Sequence, residues 1–180
     1  PEKQGFKVGA EQIRQAISPR TKALILNSPA NPTGAVYTRS ELEAIAAVAV
    51  DGQIVVISDE IYEPFNYTGE PHVSIAQIGP AMKALTLLVH GVSKSHAMTG
   101  WRIGYVLGNA DVIRAIGSLQ SHSTSNATSI AQKAALEALE GSQDSVDRMV
   151  VEFARRREYL VTQLNTMPGI RCRLPEGAFY

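Results

Sequence analysis

Apolar residues fall along this chain in two kinds of pattern. Short uninterrupted blocks occupy Lys22 to Asn27 (K-A-L-I-L-N), Ile54 to Ser58 (I-V-V-I-S), Ala84 to His90 and Ile103 to Leu107. Blocks this short, punctuated by Ser28-Pro29, Gly104 and Gly108, predict buried strands. Elsewhere apolar positions recur three or four residues apart. Leu42, Ile45, Ala46 and Ala49 form one such stripe, opened by the capping box Thr38-Arg39-Ser40-Glu41 and closed by Gly52. Further helices are predicted over about 111–119, 126–140 and 144–165. The last carries the stripe Val146, Met149, Val150, Phe153, Leu160 and Leu164. Pro168-Gly169 breaks it, and Ile170 to Leu174 is expected to open another strand. Strands alternating with helices predict an α/β fold whose sheet is covered on both faces.

Composition narrows the function classes. Hydrophobic residues make up 44% and charged residues 19%, an ordinary globular balance for one sizeable domain. Lys+Arg and Asp+Glu both number 17, so no net field favours nucleic acid or an anionic membrane. The run Arg155-Arg156-Arg157, beside Glu152 and Glu158, reads as a solvated helix face. A single cysteine, Cys172, forms no internal disulfide, which fits a reducing cytoplasm. The longest apolar runs are too short to span a bilayer. The chain begins at Pro1 and stops inside the apolar run Gly177-Ala178-Phe179-Tyr180, so it is expected to be a piece of a longer protein.

Candidate chemistry sits at the strand ends. Open α/β sheets bind ligands beyond the carboxyl ends of their strands. Asn31, Asp59 and Lys94 each fall just after a predicted strand and can converge there. Asp59 offers a carboxylate to a ligand nitrogen, though a helix cap or surface acid has the same look. Tyr62, three residues on, can share its face, and it also reads as a packed aromatic with a wet tip. Asn31-Pro32-Thr33-Gly34 is a turn by composition, and a cis Asn31–Pro32 bond would fix the side chain toward the cleft. Lysines are ordinarily solvated. At the rim of a buried sheet, the Lys94 amine becomes a nucleophile and base. Arg102, inside Gly100-Trp101-Arg102-Ile103-Gly104, can grip a phosphate with its planar fork, and Ser93 can add a hydroxyl.

Competing constellations lack their spacing. Ser93-Lys94 has no S-x-x-K context. His72, His90, His96 and His122 show no ligand spacing, so no metal is assigned. No Walker A or G-x-G-x-x-G string occurs. Trp101 reads as a packing residue.

Asn31-Pro32-Thr33-Gly34, Ser58-Asp59-Glu60-Ile61-Tyr62 and Gly91 through Tyr105 (G-V-S-K-S-H-A-M-T-G-W-R-I-G-Y) resemble the class I/II aminotransferases of the aspartate aminotransferase superfamily, pyridoxal phosphate-dependent enzymes of fold type I. The resemblance covers essentially the whole chain. It implies a three-layer α/β/α large domain, with a mostly parallel sheet and one antiparallel strand near Ile103 to Leu107. Residues 1–167 would be part of that cofactor-binding domain, and 168–180 the start of a truncated C-terminal small domain. It implies pyridoxal 5'-phosphate as cofactor, with Lys94 as the Schiff-base lysine and Asp59 on the pyridine nitrogen. Tyr62 and Asn31 would hold the phenolic oxygen, Asn31 would also touch the substrate carboxylate, and Ser93 and Arg102 would bind phosphate. Lys94, Asp59 and Tyr62 would be the catalytic set.

The implied reaction is ping-pong transfer of an amino group from an amino acid, aspartate among the candidates, to a 2-oxo acid. A C–S lyase or decarboxylase on the same scaffold, or a catalytically incomplete fragment, remain alternatives. The full-length protein would be a cytoplasmic homodimer acting on small molecules, with no nucleic-acid or membrane partner. The family's N-terminal phosphate loop and C-terminal carboxylate-binding arginine fall outside these residues. The segment alone is therefore expected to be inactive, and its open sheet edge to make it marginal or self-associating. His90 stands where similar sequences commonly carry asparagine, and so does Ala30.

Overall fold

The four apolar blocks become four strands of one sheet in a computed structural model that describes all of residues 1–180. They are β1 (Ala23–Asn27), β2 (Val55–Asp59), β3 (Thr86–His90) and β4 (Tyr105–Leu107), in the spatial order β1-β2-β3-β4. β1 pairs parallel with β2 and β2 with β3, whereas β4 runs antiparallel to β3. Parallel neighbours require a crossover. Between β1 and β2 that crossover contains helix α2 (Arg39–Asp51). Between β2 and β3 it contains α3 (Pro80–Leu85), which takes Ala84 and Leu85 from the predicted strand. Helix α1 (Ala10–Ala16) precedes the sheet, and α4 (Ala110–Ser123), α5 (Ser129–Glu140) and α6 (Asp144–Asn165) follow it.

The capping box forms as its sequence requires. Thr38 Oγ1 accepts from the Glu41 N–H at 3.3 Å, and Glu41 Oε2 accepts from the Thr38 N–H at 2.7 Å. Such a cap stabilises a helix by about 1 kcal/mol. It starts α2 in the phase that points Leu42, Ile45, Ala46 and Ala49 at Leu26 and Val56 of the sheet, with Ile75 and Met82 closing the core. Each large side chain buried there contributes about 1.5–3 kcal/mol. Ile25 on the opposite face of β1 remains 72% exposed.

A second cluster holds the site's far wall. Tyr62, Phe65 and Ala178 are buried together, and Met149, Val150 and Phe153 of α6 pack against them with Phe179. Phe65 meets Phe153 and Phe179 edge to face, with centroids 5.5 and 5.4 Å away. Farther along the α6 stripe Leu160 is exposed and Leu164 half-buried.

Three sequence expectations are corrected. Ile170 to Leu174 forms no strand. The Asn165 side-chain amide takes both the N–H and the C=O of Cys172, at 2.8 and 2.9 Å, which occupies the groups a strand neighbour would use. The chain instead pairs later, through a bridge between Gly177 and Asn66. Arg155 and Arg156 lie on a solvated face with Glu152, but Arg157 does not. Its side chain is 14% exposed, stacks 4.4 Å from the Tyr67 centroid and donates to the Pro175 carbonyl. Trp101 packs little, at 45% exposure.

Candidate active site

Register brings the strand ends level. Asn27 of β1 lies opposite Asp59 of β2, which lies opposite Val89 of β3. The segments leaving these ends therefore start along one edge, and they carry the residues singled out by sequence. Asn27, which sequence reasoning passed over, ties two of them together. Its Nδ2 donates to the Asp59 carbonyl at 3.0 Å, and its Oδ1 accepts the Asn31 N–H at 2.8 Å. The Asn31–Pro32 bond is cis, and so is Ser28–Pro29, which the sequence did not suggest.

Asp59 ends β2 and caps no helix. One carboxylate oxygen accepts the Ile61 N–H at 3.2 Å, a local turn bond that carries the chain round to Tyr62. Tyr62 is buried at 3% exposure. Burial pushes its hydroxyl well above the ordinary tyrosine range. The neighbouring Tyr180 hydroxyl at 2.8 Å and the charge of Asp59 push the same way, and a hydrogen bond with Asn31 opposes them. Asn31 and Asp59 thus both act on the Tyr62 hydroxyl. The Lys94 ammonium lies 5.9 Å from the Tyr62 ring centroid. Three of the other five predicted residues, Asn31, Asp59 and Lys94, converge on this one tyrosine.

Ser93 and Arg102 meet through a residue sequence reasoning missed. Thr99 Oγ1 donates to the Ser93 carbonyl at 3.0 Å, and the Thr99 carbonyl accepts from Arg102 Nη1 at 2.8 Å. Arg102 adopts a left-handed backbone, φ 52° and ψ 50°, unusual for a bulky residue and a form of strain that concentrates at functional sites.

Two carboxylates brace the Asp59–Tyr62 turn. Glu60 is buried at 4% exposure, and its Oε1 accepts the hydroxyls of Ser58 and Ser74, each at 2.7 Å. Its Oε2 lies 2.8 Å from His72 Nε2. Glu63 Oε2 lies 3.4 Å from His90 Nε2. The His90 ring beside it draws the Glu63 carboxyl below the usual carboxylate range; burial opposes this, and His72 assists it. His90 Nδ1 accepts the Gly91 N–H at 2.8 Å and lies 3.1 Å from the Tyr105 hydroxyl, with the two rings stacked. Burial, then the charge of Glu63, raises the Tyr105 hydroxyl, so it stays a donor. Sequence alone gave no sign of Tyr180, which is 118 residues from its partner. A cavity of ≈ 680 Å³ runs past Pro32 and Thr33 to Tyr180, but none of Asn31, Asp59, Tyr62, Ser93, Lys94 and Arg102 lines it.

The whole chain is similar to known proteins. The family described as aminotransferase class I and II matches residues 1–180. An aspartate aminotransferase of Bacillus sp. (strain YM-2) is 54% identical over 177 residues, which is 98% of this chain and 45% of that protein. An aspartate/prephenate aminotransferase of Cereibacter sphaeroides (strain ATCC 17029 / ATH 2.4.9) is 50% identical over 177 residues, 98% of this chain and 44% of that protein. The crystal structure of the aspartate aminotransferase from Rhizobium meliloti superposes with a TM-score of 0.96 at 42% identity, over 99% of this chain and 45% of that one. An aromatic aminotransferase from Pyrococcus horikoshii OT3 gives 0.93 at 38% identity, over 99% of this chain and 48% of that one. The chain spans about half the length of the curated relatives it matches.

Proposed function

The chain belongs to the class I and II aminotransferases, and from that premise we propose that it is the lysine-bearing part of a pyridoxal 5'-phosphate enzyme that moves an amino group from an amino acid to a 2-oxo acid. Aspartate is the donor to test first, because it is in the names of the similar proteins. The observation that carries the reading is the convergence on Tyr62 of Lys94, Asp59 and Asn31. Within this reading, residues 1–167 belong to the cofactor-binding domain and 168–180 begin the next. The whole protein would be a cytoplasmic homodimer. No helix here is long and apolar enough to cross a membrane.

The donor set fits the cofactor group by group. Pyridoxal phosphate offers an aldehyde, a pyridine nitrogen, a phenolic oxygen and a phosphate. Against these stand an amine at Lys94, a carboxylate at Asp59, hydrogen-bonding groups at Tyr62 and Asn31, and a hydroxyl and guanidinium at Ser93 and Arg102. When bound, the cofactor supplies a conjugated cationic ring that accepts the electron pair released at the substrate α-carbon.

This chain's residues do the rest. Lys94 Nζ would anchor the aldehyde and, when free of it, would be the base that carries a proton from one carbon to another. The Asp59 carboxylate would hold the proton of the ring nitrogen. The raised pKa of Tyr62 keeps its O–H a donor at neutral pH, and Tyr180 orients it from 2.8 Å. Arg102 grips phosphate as a planar fork.

The test uses the full-length protein loaded with pyridoxal phosphate. The expected results are a visible absorbance band, borohydride trapping of the cofactor on Lys94, loss of both in Lys94→Ala, and bleaching of the band by aspartate with release of the corresponding 2-oxo acid. Trapping on another residue would overturn the reading. Release of carbon dioxide or of an eliminated side chain in place of the 2-oxo acid would move it to a decarboxylase or lyase.

A further inference from the structure

We propose that His90 is a positioning residue for Lys94: one imidazole, accepting the Gly91 N–H at Nδ1 and facing Glu63 at Nε2, holds together the three segments that carry the site. The assignment rests on the reading of Lys94 as the reacting amine.

The geometry specifies the tautomer. Nδ1 receives the Gly91 N–H at 2.8 Å, and an amide N–H can only donate. Nδ1 is therefore an acceptor, with the Tyr105 hydroxyl 3.1 Å away, and the ring proton sits on Nε2. That proton faces Glu63 Oε2 at 3.4 Å. Each contact belongs to a different part of the site. Glu63 follows Tyr62 in the turn from Asp59. Gly91 begins the segment that reaches Ser93 and Lys94. Tyr105 opens β4, just beyond Arg102.

Close packing tightens this junction. A Cβ on Gly91 would stand 3.1 Å from Gly104 Cα and 3.3 Å from both the Ile103 carbonyl oxygen and Ile61 Cδ1, so the same three segments touch at Gly91. Gly91 is buried, and its N–H bonds to no group but the His90 ring. Asparagine at position 90 could still offer Gly91 an acceptor but is too short to reach Glu63. Histidine adds the link to the tyrosine-bearing turn.

The test uses the full chain and begins without cofactor. Long-range 15N–1H spectra are expected to show His90 protonated at Nε2 and bare at Nδ1. Amide hydrogen exchange at Gly91 is expected to accelerate at least tenfold in His90→Phe, which keeps the stacked ring but no acceptor. His90→Asn is expected to hold exchange within about threefold of wild type, with Val56 and Val89 unchanged in both. Pyridoxal phosphate is then trapped with borohydride. Trapping on Lys94 is expected to slow about tenfold in His90→Phe and about threefold in His90→Asn. An Nδ1-protonated ring, unchanged Gly91 exchange in His90→Phe, or wild-type trapping in that variant each overturn the proposal.

If His90→Phe does not fold, Glu63→Ala carries the test: a mixed tautomer and slower trapping support the role, and a wild-type ring with wild-type trapping overturns it. Wild-type protein that traps the cofactor only on other lysines refutes the aminotransferase reading instead. The positioning role is then judged by the tautomer and exchange arms alone.

Discussion

Replacing Glu60 by alanine removes one buried carboxylate and strands three donors. The Ser58 and Ser74 hydroxyls lose an acceptor at 2.7 Å and His72 Nε2 loses one at 2.8 Å, behind a surface that leaves Glu60 4% exposed. A hydrogen bond to a charged group is worth about 1.5–3 kcal/mol net. The three do not add, because the hydroxyls can rotate and water can enter the vacated space. Each buried donor left without an acceptor costs about 1–3 kcal/mol, and with partial relaxation the expected loss for Glu60→Ala is about 3–5 kcal/mol. Against a total of about 5–15 kcal/mol for a domain, this is about a fifth or more of the stability.

Glu60→Gln separates charge from shape. An amide oxygen at the Oε1 position still receives both serines, and the amide NH2 faces His72 Nε2, which can accept after a change of tautomer. The expected cost is about 1–2 kcal/mol, one charge-assisted bond reduced to a neutral one. Urea unfolding at pH 7, followed by far-ultraviolet circular dichroism, measures both. Trp101 is too exposed to report well on the core. Glu60→Ala within 1 kcal/mol of wild type at unchanged m-value, or Gln as costly as Ala, would refute the reasoning.

Gly34→Ala is expected to cost about 2–5 kcal/mol, from the left-handed backbone and overpacking together. Gly34 sits at φ +66°, and a Cβ there would lie 2.4 Å from Pro175 Cβ; faster proteolysis of 168–180 checks the loss. Glu63 titrates below its unfolded value, so its contribution is full above the ordinary glutamate pKa of about 4.3 and is lost as pH falls through the depressed folded value. Urea midpoints are expected to fall as pH drops below that point, and Glu63→Gln to flatten the fall. Phe65→Ala, at a fully buried ring, is expected to cost about 3–5 kcal/mol by thermal or urea unfolding.

Much of the architecture was legible because it is written locally. The I-V-V-I-S block, the Thr38–Glu41 box and the α6 stripe each carry their own period or cap, and α6 begins and ends where the pattern does. The candidate site was legible as a set of residue types following strands. What joins them was not. Tyr180 reaches Tyr62, and Glu176 reaches the Val36 N–H at 3.3 Å, across 118 and 140 residues, separations that no local pattern encodes. The failed strand at 170–174 had the right composition but lost its backbone groups to the side chain of Asn165. Arg157 looked like its neighbours in the run because burial depends on Tyr67, which the run does not mention.

The reversal of direction between β3 and β4 has a consequence for how the site tolerates change. Residues 91–104 depart from His90 and return at Tyr105, which face each other across the ladder like gateposts. A parallel neighbour would have demanded a crossover and a return from the other end of the sheet. Ser93, Lys94 and Arg102 instead ride on one closed hairpin, so a shift at its mouth carries amine and guanidinium along together. The distance between them is a ruler cut from loop length, and adding one residue between 94 and 102 would recalibrate it without disturbing a single strand pairing.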